Sequence, residues 1–182
     1  MNQDVADLIL GAVSFAAEKH RHQRRKDAEA SPYINHPIAL ARVLTQEGGI
    51  DDPVTLCAAL LHDTIEDTDT TEAELRQCFG DEITRIVLEV TDDKTLRKEE
   101  RKQQQVEHAS SISSRAKLVK LADKICNLRD IATSPPADWP LQRKMEYYDW
   151  AKQVVDGLRG INPKLEAAFD MVCRDWQARE QR

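Results

Sequence analysis

The chain is poor in the residues that interrupt regular structure. Its 182 residues include only 6 glycines and 7 prolines, and aromatic residues make up 5%. So few glycines and prolines argue against collagen-like, low-complexity and turn-rich all-β structures. No apolar run approaches the roughly 20 residues that a membrane-spanning helix needs. The fibrous and membrane-spanning classes are therefore excluded.

Cysteine is also scarce, and its spacing carries no metal motif. The four cysteines are Cys57, Cys78, Cys126 and Cys173. None forms a CxxC or zinc-ribbon spacing, and the pattern is typical of reduced thiols. The first apolar stretch follows acidic residues such as Asp4 instead of a basic region, and it has no small-residue cleavage site. We therefore predict a cytoplasmic protein without a signal peptide.

The charge balance limits the partners. Lysine and arginine total 26 and aspartate and glutamate total 32, which gives a formal net charge of −6 and a pI of about 5.4. This balance argues against non-specific binding to nucleic acid or an anionic membrane. A hydrophobic content of 41% indicates a folded chain. The length predicts one domain over residues 1–182, and the oligomeric state stays open.

Apolar residues recur at helical spacing along most of the chain, and no stretch shows strand alternation. Gly48-Gly49 predicts a helix end, and Asp52-Pro53 predicts the start of the next helix. That next helix is almost continuously apolar, which predicts a central, buried position. Thr71 and Glu74 form a capping box for a further helix. We predict an all-α fold, a single helical bundle of about eight or nine helices.

The most informative segment is the hexapeptide at residues 62–67, HDTIED. A helix running on through this segment would place His62 and Glu66 on one face, with Asp63 and Asp67 beside them. Burying imidazole and carboxylate groups at the end of an apolar helix is costly unless they are paired or bind a cation. The hexapeptide therefore favours a metal site.

Two further residues qualify as metal ligands. His36 begins a helix in YINHPI, and Asp123 lies on a helix whose opposite face is rich in leucine. Two imidazoles and two carboxylates suit Mn, Fe, Zn or Ni better than a thiolate-seeking ion. Such a set leaves room for a water molecule that becomes nucleophilic near neutral pH. The alternative is that the His-Asp pair is a hydrogen-bonded pair or a cap, and that His36 only starts a helix.

The combined pattern resembles the HD-domain metal-dependent phosphohydrolases. Within them it resembles the single-domain (p)ppGpp hydrolases, which are related to the hydrolase half of Rel/Spo enzymes. The matching stretches are FAAEKHRHQRRKD, SPYINHPIALA, AALLHDTIEDTDTT, VTDDKTLRKEERK, AKLVKLADKICNLRDI and EYYDWAKQVVDGLRG. They cover about residues 12–160. No synthetase-like stretch follows, so we expect hydrolysis alone.

The resemblance implies a metal centre with one divalent ion, typically Mn²⁺. Its ligands would be His36, His62, Asp63 and Asp123. It also implies that Glu66 and Asp67 orient or activate the attacking water. The alternative for these two acidic residues is that they support the ligands or are merely solvated. Their position one turn beyond the ligands favours a direct role, more so for Glu66.

The resemblance also implies residues that hold a nucleotide. Arg25 and Lys26 match basic residues that contact the base, although a charge run of this kind is usually solvated. Asn127 lies four residues after Asp123, on the same helix face, and matches a nucleotide contact. Tyr147 matches a tyrosine near the nucleotide phosphate, and packing is the alternative for it.

The resulting hypothesis is an enzyme that removes the 3′-pyrophosphate of ppGpp or pppGpp, giving GDP or GTP and pyrophosphate. The alternative is an HD-type phosphatase acting on another nucleotide, such as removal of the 2′-phosphate of NADPH. A third hypothesis is a non-catalytic nucleotide-binding module. The presence of all four ligands and both acidic residues argues against that third hypothesis.

Overall fold

Helices make up almost all of the regular structure. The computed structural model describes residues 3–136 and 138–180, and those ranges contain nine helices and no strand. They are α1 (Gln3–Lys19), α2 (Asn35–Arg42), α3 (Pro53–Leu61), α4 (Thr64–Asp67), α5 (Glu72–Val90), α6 (Lys98–His108), α7 (Ser114–Thr133), α8 (Leu141–Asp156) and α9 (Pro163–Glu180). α2 continues into a π-helical turn, Val43–Glu47. The all-α prediction is confirmed.

The helix starts follow from side-chain caps. Asp52 accepts a hydrogen bond from the backbone N–H of Thr55 at 3.0 Å, and Pro53 occupies the first helical position. Thr71 caps α5 in the same way, because its hydroxyl accepts from the N–H of Glu74 at 3.1 Å. Inside α5, Gly80 has a φ of +80°, which places a kink where a residue with a Cβ would be strained.

The helix α3 forms the centre of the core. Every residue from Thr55 to Leu61 is buried, and α1, α2, α5 and α7 pack around them. α7 contributes ten further buried residues and packs against α8 and α9 as well. Because these helices surround one core, their ends bring distant parts of the sequence together. Within the described ranges, no helix is both long and apolar enough to cross a membrane.

The hexapeptide at 62–67 does not continue α3, so that prediction is wrong. α3 ends at Leu61, and residues 64–67 form the separate short helix α4. The hydroxyl of Thr64 donates to the carbonyl of Leu61 at 2.7 Å, and Nδ1 of His62 lies 2.8 Å from the carbonyl of Ala59. These two side chains therefore hydrogen-bond to backbone carbonyl groups at the end of α3. His62 and Glu66 therefore lie on different elements.

Candidate active site

Three predicted metal ligands converge from three helices. His36 lies near the start of α2, His62 directly follows α3, and Asp123 lies in the middle of α7. One ligand atom from each lies within 4.8 Å of the other two. Nε2 of His36 is 3.2 Å from Oδ1 of Asp123, and Nε2 of His62 is 4.0 Å from the same oxygen. This spacing suits three ligands around one cation.

The imidazole of His62 is arranged as a metal ligand. Its Nδ1 faces the carbonyl of Ala59, so the neutral imidazole, which is the form that binds a metal, would carry its proton on Nδ1 and present a lone pair at Nε2. This Nε2 is buried, and its nearest carboxylate oxygen, Oδ2 of Asp63 at 2.9 Å, does not meet it in hydrogen-bond geometry. A buried imidazole nitrogen left without a partner is costly. A cation at the centre of the three residues would satisfy it, so the donor set fits a divalent metal.

The fourth predicted ligand, Asp63, borders this cluster. Its Oδ2 lies 2.9 Å from Nε2 of His62. The same oxygen accepts a hydrogen bond from the phenol of Tyr33. Asp63 is thus held beside the three converging ligands by a residue of the loop before α2.

Charge is concentrated around the ligands. Burial opposes ionisation of Asp123, but the adjacent ammonium of Lys124 and the two imidazoles outweigh it and hold its pKa well below the usual range. Burial lowers the pKa of His62, while the carboxylates of Asp63 and Asp123 raise it to about 9. Lys124 donates to Oδ2 of Asp123 at 3.0 Å. Asp123 is therefore held in its ionised form, which is the form that binds a cation.

The two predicted catalytic carboxylates have different surroundings. Oε2 of Glu66 accepts a hydrogen bond from the backbone N–H of Asp92 at 2.9 Å. Its Oε1 accepts no hydrogen bond from the residues that the structure describes. Burial raises the pKa of Glu66 to about 7, although the N–H of Asp92 opposes this rise. A carboxyl group with a pKa near 7 suits proton transfer at neutral pH.

Both oxygens of Asp67 are occupied. Oδ2 accepts from the amide of Gln23 at 2.9 Å, and Oδ1 pairs with the ammonium of Lys94. Asp67 therefore ties the loop after α1 to the loop after α5. This arrangement is better suited to holding the two loops than to accepting a proton.

A cleft of about 480 Å³ opens beside the metal cluster, and all four predicted nucleotide-binding residues line it. Its basic wall is the loop at residues 20–34, which folds back on itself through hydrogen bonds such as Arg25 N–H to Ser31 O at 2.9 Å. The guanidinium of Arg25 donates to Asp130 at 2.5 Å and lies 3.4 Å from the amide oxygen of Asn127. Lys26 is exposed at the rim.

The other two predicted substrate residues complete the cleft. The amide of Asn127 donates to Oδ1 of Asp123 at 2.6 Å, so it touches both a metal ligand and the basic wall. Tyr147 lies between the rings of Trp139 and Trp150, at 5.7 and 5.1 Å between centroids. It also borders the metal cavity. Tyr148, the alternative weighed beside it, is buried and donates to the carbonyl of Leu128.

Sequence reasoning missed the residues that support the site. Tyr33 lies three positions before His36 in the quoted stretch SPYINHPIALA, so its place on the same helical entry could have been noticed. Asp92 and Lys124 were inside quoted stretches too. The carboxylate that Lys124 contacts belongs to the adjacent Asp123, whereas Asp92 meets Glu66 only through folding, and no spacing in the sequence signals that contact.

The family model for the HD domain matches residues 12–147. This span contains the four predicted metal ligands and the four predicted nucleotide-binding residues. The chain belongs to the HD-domain family, and the resemblance inferred from its motifs is confirmed.

The proteins similar to this chain include guanosine-3′,5′-bis(diphosphate) 3′-pyrophosphohydrolases called MESH1. The mouse protein of that name is 60% identical over 175 residues, which cover 96% of this chain and 97% of the relative. The human one is 59% identical and covers 93% of this chain and 94% of the relative. A solved structure described as "a metazoan ortholog of SpoT hydrolyzes ppGpp and plays a role in starvation responses" is 47% identical. It matches with a TM-score of 0.90 over 92% of this chain and 94% of that one.

Proposed function

We propose that this protein hydrolyses the 3′-pyrophosphate of guanosine 3′,5′-bis(diphosphate). Water and ppGpp would give GDP and pyrophosphate, and pppGpp would give GTP and pyrophosphate. The observation that carries the proposal is that a cluster of three candidate metal ligands, His36, His62 and Asp123, adjoins a basic, aromatic-lined cleft of about 480 Å³. Relatives with 57–60% identity carry this activity in their names.

The metal would be held by His36, His62, Asp63 and Asp123. We propose Mn²⁺ as the ion because it is the metal that the family resemblance implies, and it is among the ions that mixed imidazole and carboxylate ligands suit. When bound, a divalent cation supplies Lewis acidity, which polarises a phosphate oxygen and acidifies water. The approach of Nε2 of His36 and Nε2 of His62 to the same oxygen of Asp123 supports this ligand assignment. A single small-molecule nucleotide is the partner that such a site requires.

Glu66 would accept the proton of the attacking water at its Oε1. This oxygen is free of hydrogen bonds from the described residues, whereas Asp92 fixes the other oxygen. Asp67 would orient the water less directly, because Gln23 and Lys94 already engage both of its oxygens. The assignment makes Glu66 the general base and Asp67 a support for the loops around it.

The nucleotide would lie in the cleft. Arg25 presents a planar guanidinium that suits stacking on a purine or a forked contact to phosphate. Lys26 would add charge at the rim, and the amide of Asn127 would read a base edge or a ribose hydroxyl. Tyr147, which borders both the cleft and the metal cavity, would face the phosphate that is cleaved.

We also propose that residues 1–182 act as one hydrolase domain and that the protein works in the cytoplasm. The single core formed by α3, α7 and their neighbours supports the first point. The four unpaired thiols support the second, because reducing compartments keep thiols reduced.

The test is a product assay on metal-stripped protein. Mn²⁺ is added back, and the protein is incubated separately with ppGpp and with NADPH. We expect metal-dependent conversion of ppGpp to GDP and pyrophosphate, resolved by ion-exchange chromatography. Asp63→Ala, with an unchanged circular-dichroism spectrum, should remove that turnover. Orthophosphate release from NADPH with little ppGpp turnover would instead support the alternative substrate and overturn the proposal.

A further inference from the structure

A buried lysine borders the metal cavity and has no part in the function proposed above. Lys120 lies on α7, one helical turn before Asp123, and is 8% exposed. It lines the same cavity of about 200 Å³ as the metal ligands and Glu66. Burying an ammonium group costs several kcal/mol unless it is paired and hydrogen-bonded. The contacts of the Lys120 ammonium therefore show which groups compensate the cost of its burial.

The ammonium of Lys120 binds the segment that follows α5. It donates a hydrogen bond to the backbone carbonyl of Val90 at 3.1 Å. It also lies 3.9 Å from Oδ1 of Asp92. These two partners flank Thr91, the residue that directly follows α5. One side chain of α7 thus fixes the backbone on both sides of the helix end.

This segment holds the proposed general base. The backbone N–H of Asp92 donates to Oε2 of Glu66 at 2.9 Å. Gln105 of α6 donates to both carboxylate oxygens of Asp92, at 2.8 and 2.7 Å, so α6 supports the same residue from the other side. The orientation of Glu66 therefore depends on where the backbone of residue 92 lies.

We propose that Lys120 is a positioning residue, which locks the Val90–Asp92 turn so that the N–H of Asp92 holds Oε2 of Glu66 and leaves Oε1 directed at the attacking water. The inference rests on the proposed function, because it assigns Lys120 a part in the same hydrolysis. Lys120 acts through the turn and Glu66, and it does not touch the nucleotide.

The first test compares Lys120→Met with Lys117→Met, a matched change one turn earlier on α7. We expect Lys120→Met to lower kcat for ppGpp by about 10- to 100-fold, as loss of an outer support does. The KM and the Kd for Mn²⁺, measured by calorimetry, should stay within twofold. Lys120→Arg, which retains charge and donors, should recover most of the lost kcat. Lys117→Met should match the wild-type protein.

The second test does not depend on activity. In the metal-free protein, the backbone amide of Asp92 should exchange with solvent at least about tenfold faster in Lys120→Met than in the wild-type protein. Should the methionine variant fail to fold, Lys120→Gln serves instead, since its amide can still donate to Val90 but carries no charge for Asp92. It too should lose kcat and amide protection with KM unchanged.

A raised KM with unchanged kcat would mean that Lys120 contacts the nucleotide and would overturn the inference. Unchanged kcat together with unchanged amide exchange would overturn it as well, and so would a loss of Mn²⁺ affinity. The wild-type protein could fail to hydrolyse ppGpp while the amide of Asp92 still exchanges faster in the variant. The proposed function would then be wrong, but the role of Lys120 in positioning Asp92 and Glu66 would remain supported. The two failures are therefore distinguishable.

Discussion

The phenol of Tyr33 donates a hydrogen bond to the carboxylate of Asp63, 30 residues further along the chain. Tyr33 is itself held in place, because its ring lies 4.8 Å from the ring of His20 and 5.7 Å from the guanidinium carbon of Arg25. Asp63 in turn lies 2.9 Å from His62. The loop that forms one wall of the nucleotide cleft thus also fixes a proposed metal ligand.

We expect Tyr33→Phe to weaken metal binding by about 10- to 100-fold, because outer partners of metal ligands contribute on that scale. The Kd for Mn²⁺ can be measured by calorimetry on metal-stripped protein. Tyr148→Phe is the matched control, since its hydroxyl donates to the backbone carbonyl of Leu128. An unchanged Kd in Tyr33→Phe would show that the hydrogen bond to Asp63 has no effect on the metal.

Glu66 should make the stability of the metal-free protein depend on pH. Burial raises its folded-state pKa from 4.5 to about 7. A group with a raised pKa contributes stability that is fully present below its unfolded pKa and lost as pH rises through its folded pKa. Between roughly pH 4.5 and 7, the free energy of unfolding of the wild-type protein should therefore fall by up to about 3 kcal/mol relative to that of Glu66→Gln.

Urea unfolding of both proteins in the presence of a chelator checks this difference. Glu99→Gln, a change on α6 at a position that is exposed, serves as the control and should follow the wild-type protein. Parallel stability curves for Glu66→Gln and wild type across this range would contradict the raised pKa. Added Mn²⁺ should reduce the difference, because a nearby cation favours the ionised carboxyl.

Substitutions of Glu66 and Asp67 should lower kcat for hydrolysis to different extents. Glu66 has one oxygen free for a water proton, whereas Gln23 and Lys94 engage both oxygens of Asp67. We expect Glu66→Gln to lower kcat by about 100- to 10,000-fold, the range for loss of a general base. Asp67→Asn should lower it less. Equal losses, or a larger loss in Asp67→Asn, would reverse the assignment of the general base.

The sequence predicted the helical class and the position of several helix ends because these depend on local chemistry. Asp52 and Thr71 cap the helices that they were expected to cap. Residue types suggested a metal site, but the assignment of the four ligands depended on the resemblance, since His36 and Asp123 are far apart in the chain. The break after Leu61 was missed because it depends on Thr64 and His62 bonding to backbone carbonyls. Contacts such as Lys120 to Val90 exist only once α5 and α7 pack.

Arg25 should contribute to nucleotide affinity through the shape of its guanidinium. Its Nη2 donates to Asp130 at 2.5 Å, which holds the planar group at the cleft wall. Arg25→Lys keeps the charge but loses the plane and the fork of donors. We expect KM for ppGpp to rise about tenfold, a loss of about 1.4 kcal/mol, with kcat within twofold.

Arg21→Lys is the control for that change. Arg21 belongs to the same loop but is exposed and pairs with Glu18 on α1. The KM of Arg21→Lys for ppGpp should equal that of the wild-type protein. A lower kcat with unchanged KM in Arg25→Lys would instead mean that Arg25 stabilises the transition state and does not contribute to binding of the ground-state substrate.

Gly157 should be required for packing between α6 and α8. Its φ of −74° is open to any residue, so the requirement is spatial. A Cβ there would lie 2.7 Å from Cβ of Ala109 and 3.2 Å from the backbone nitrogen of Ser110, just after α6. We expect Gly157→Ala to destabilise the protein by about 1–3 kcal/mol, because a backbone must move to admit the methyl group. Gly11 lies inside α1, and a Cβ there would lie 4.0 Å from Cε1 of Phe79, so Gly11→Ala should be neutral or stabilising in the same urea unfolding measurement. If both variants unfold at the wild-type urea concentration, α6 and α8 are not packed as tightly as the geometry requires.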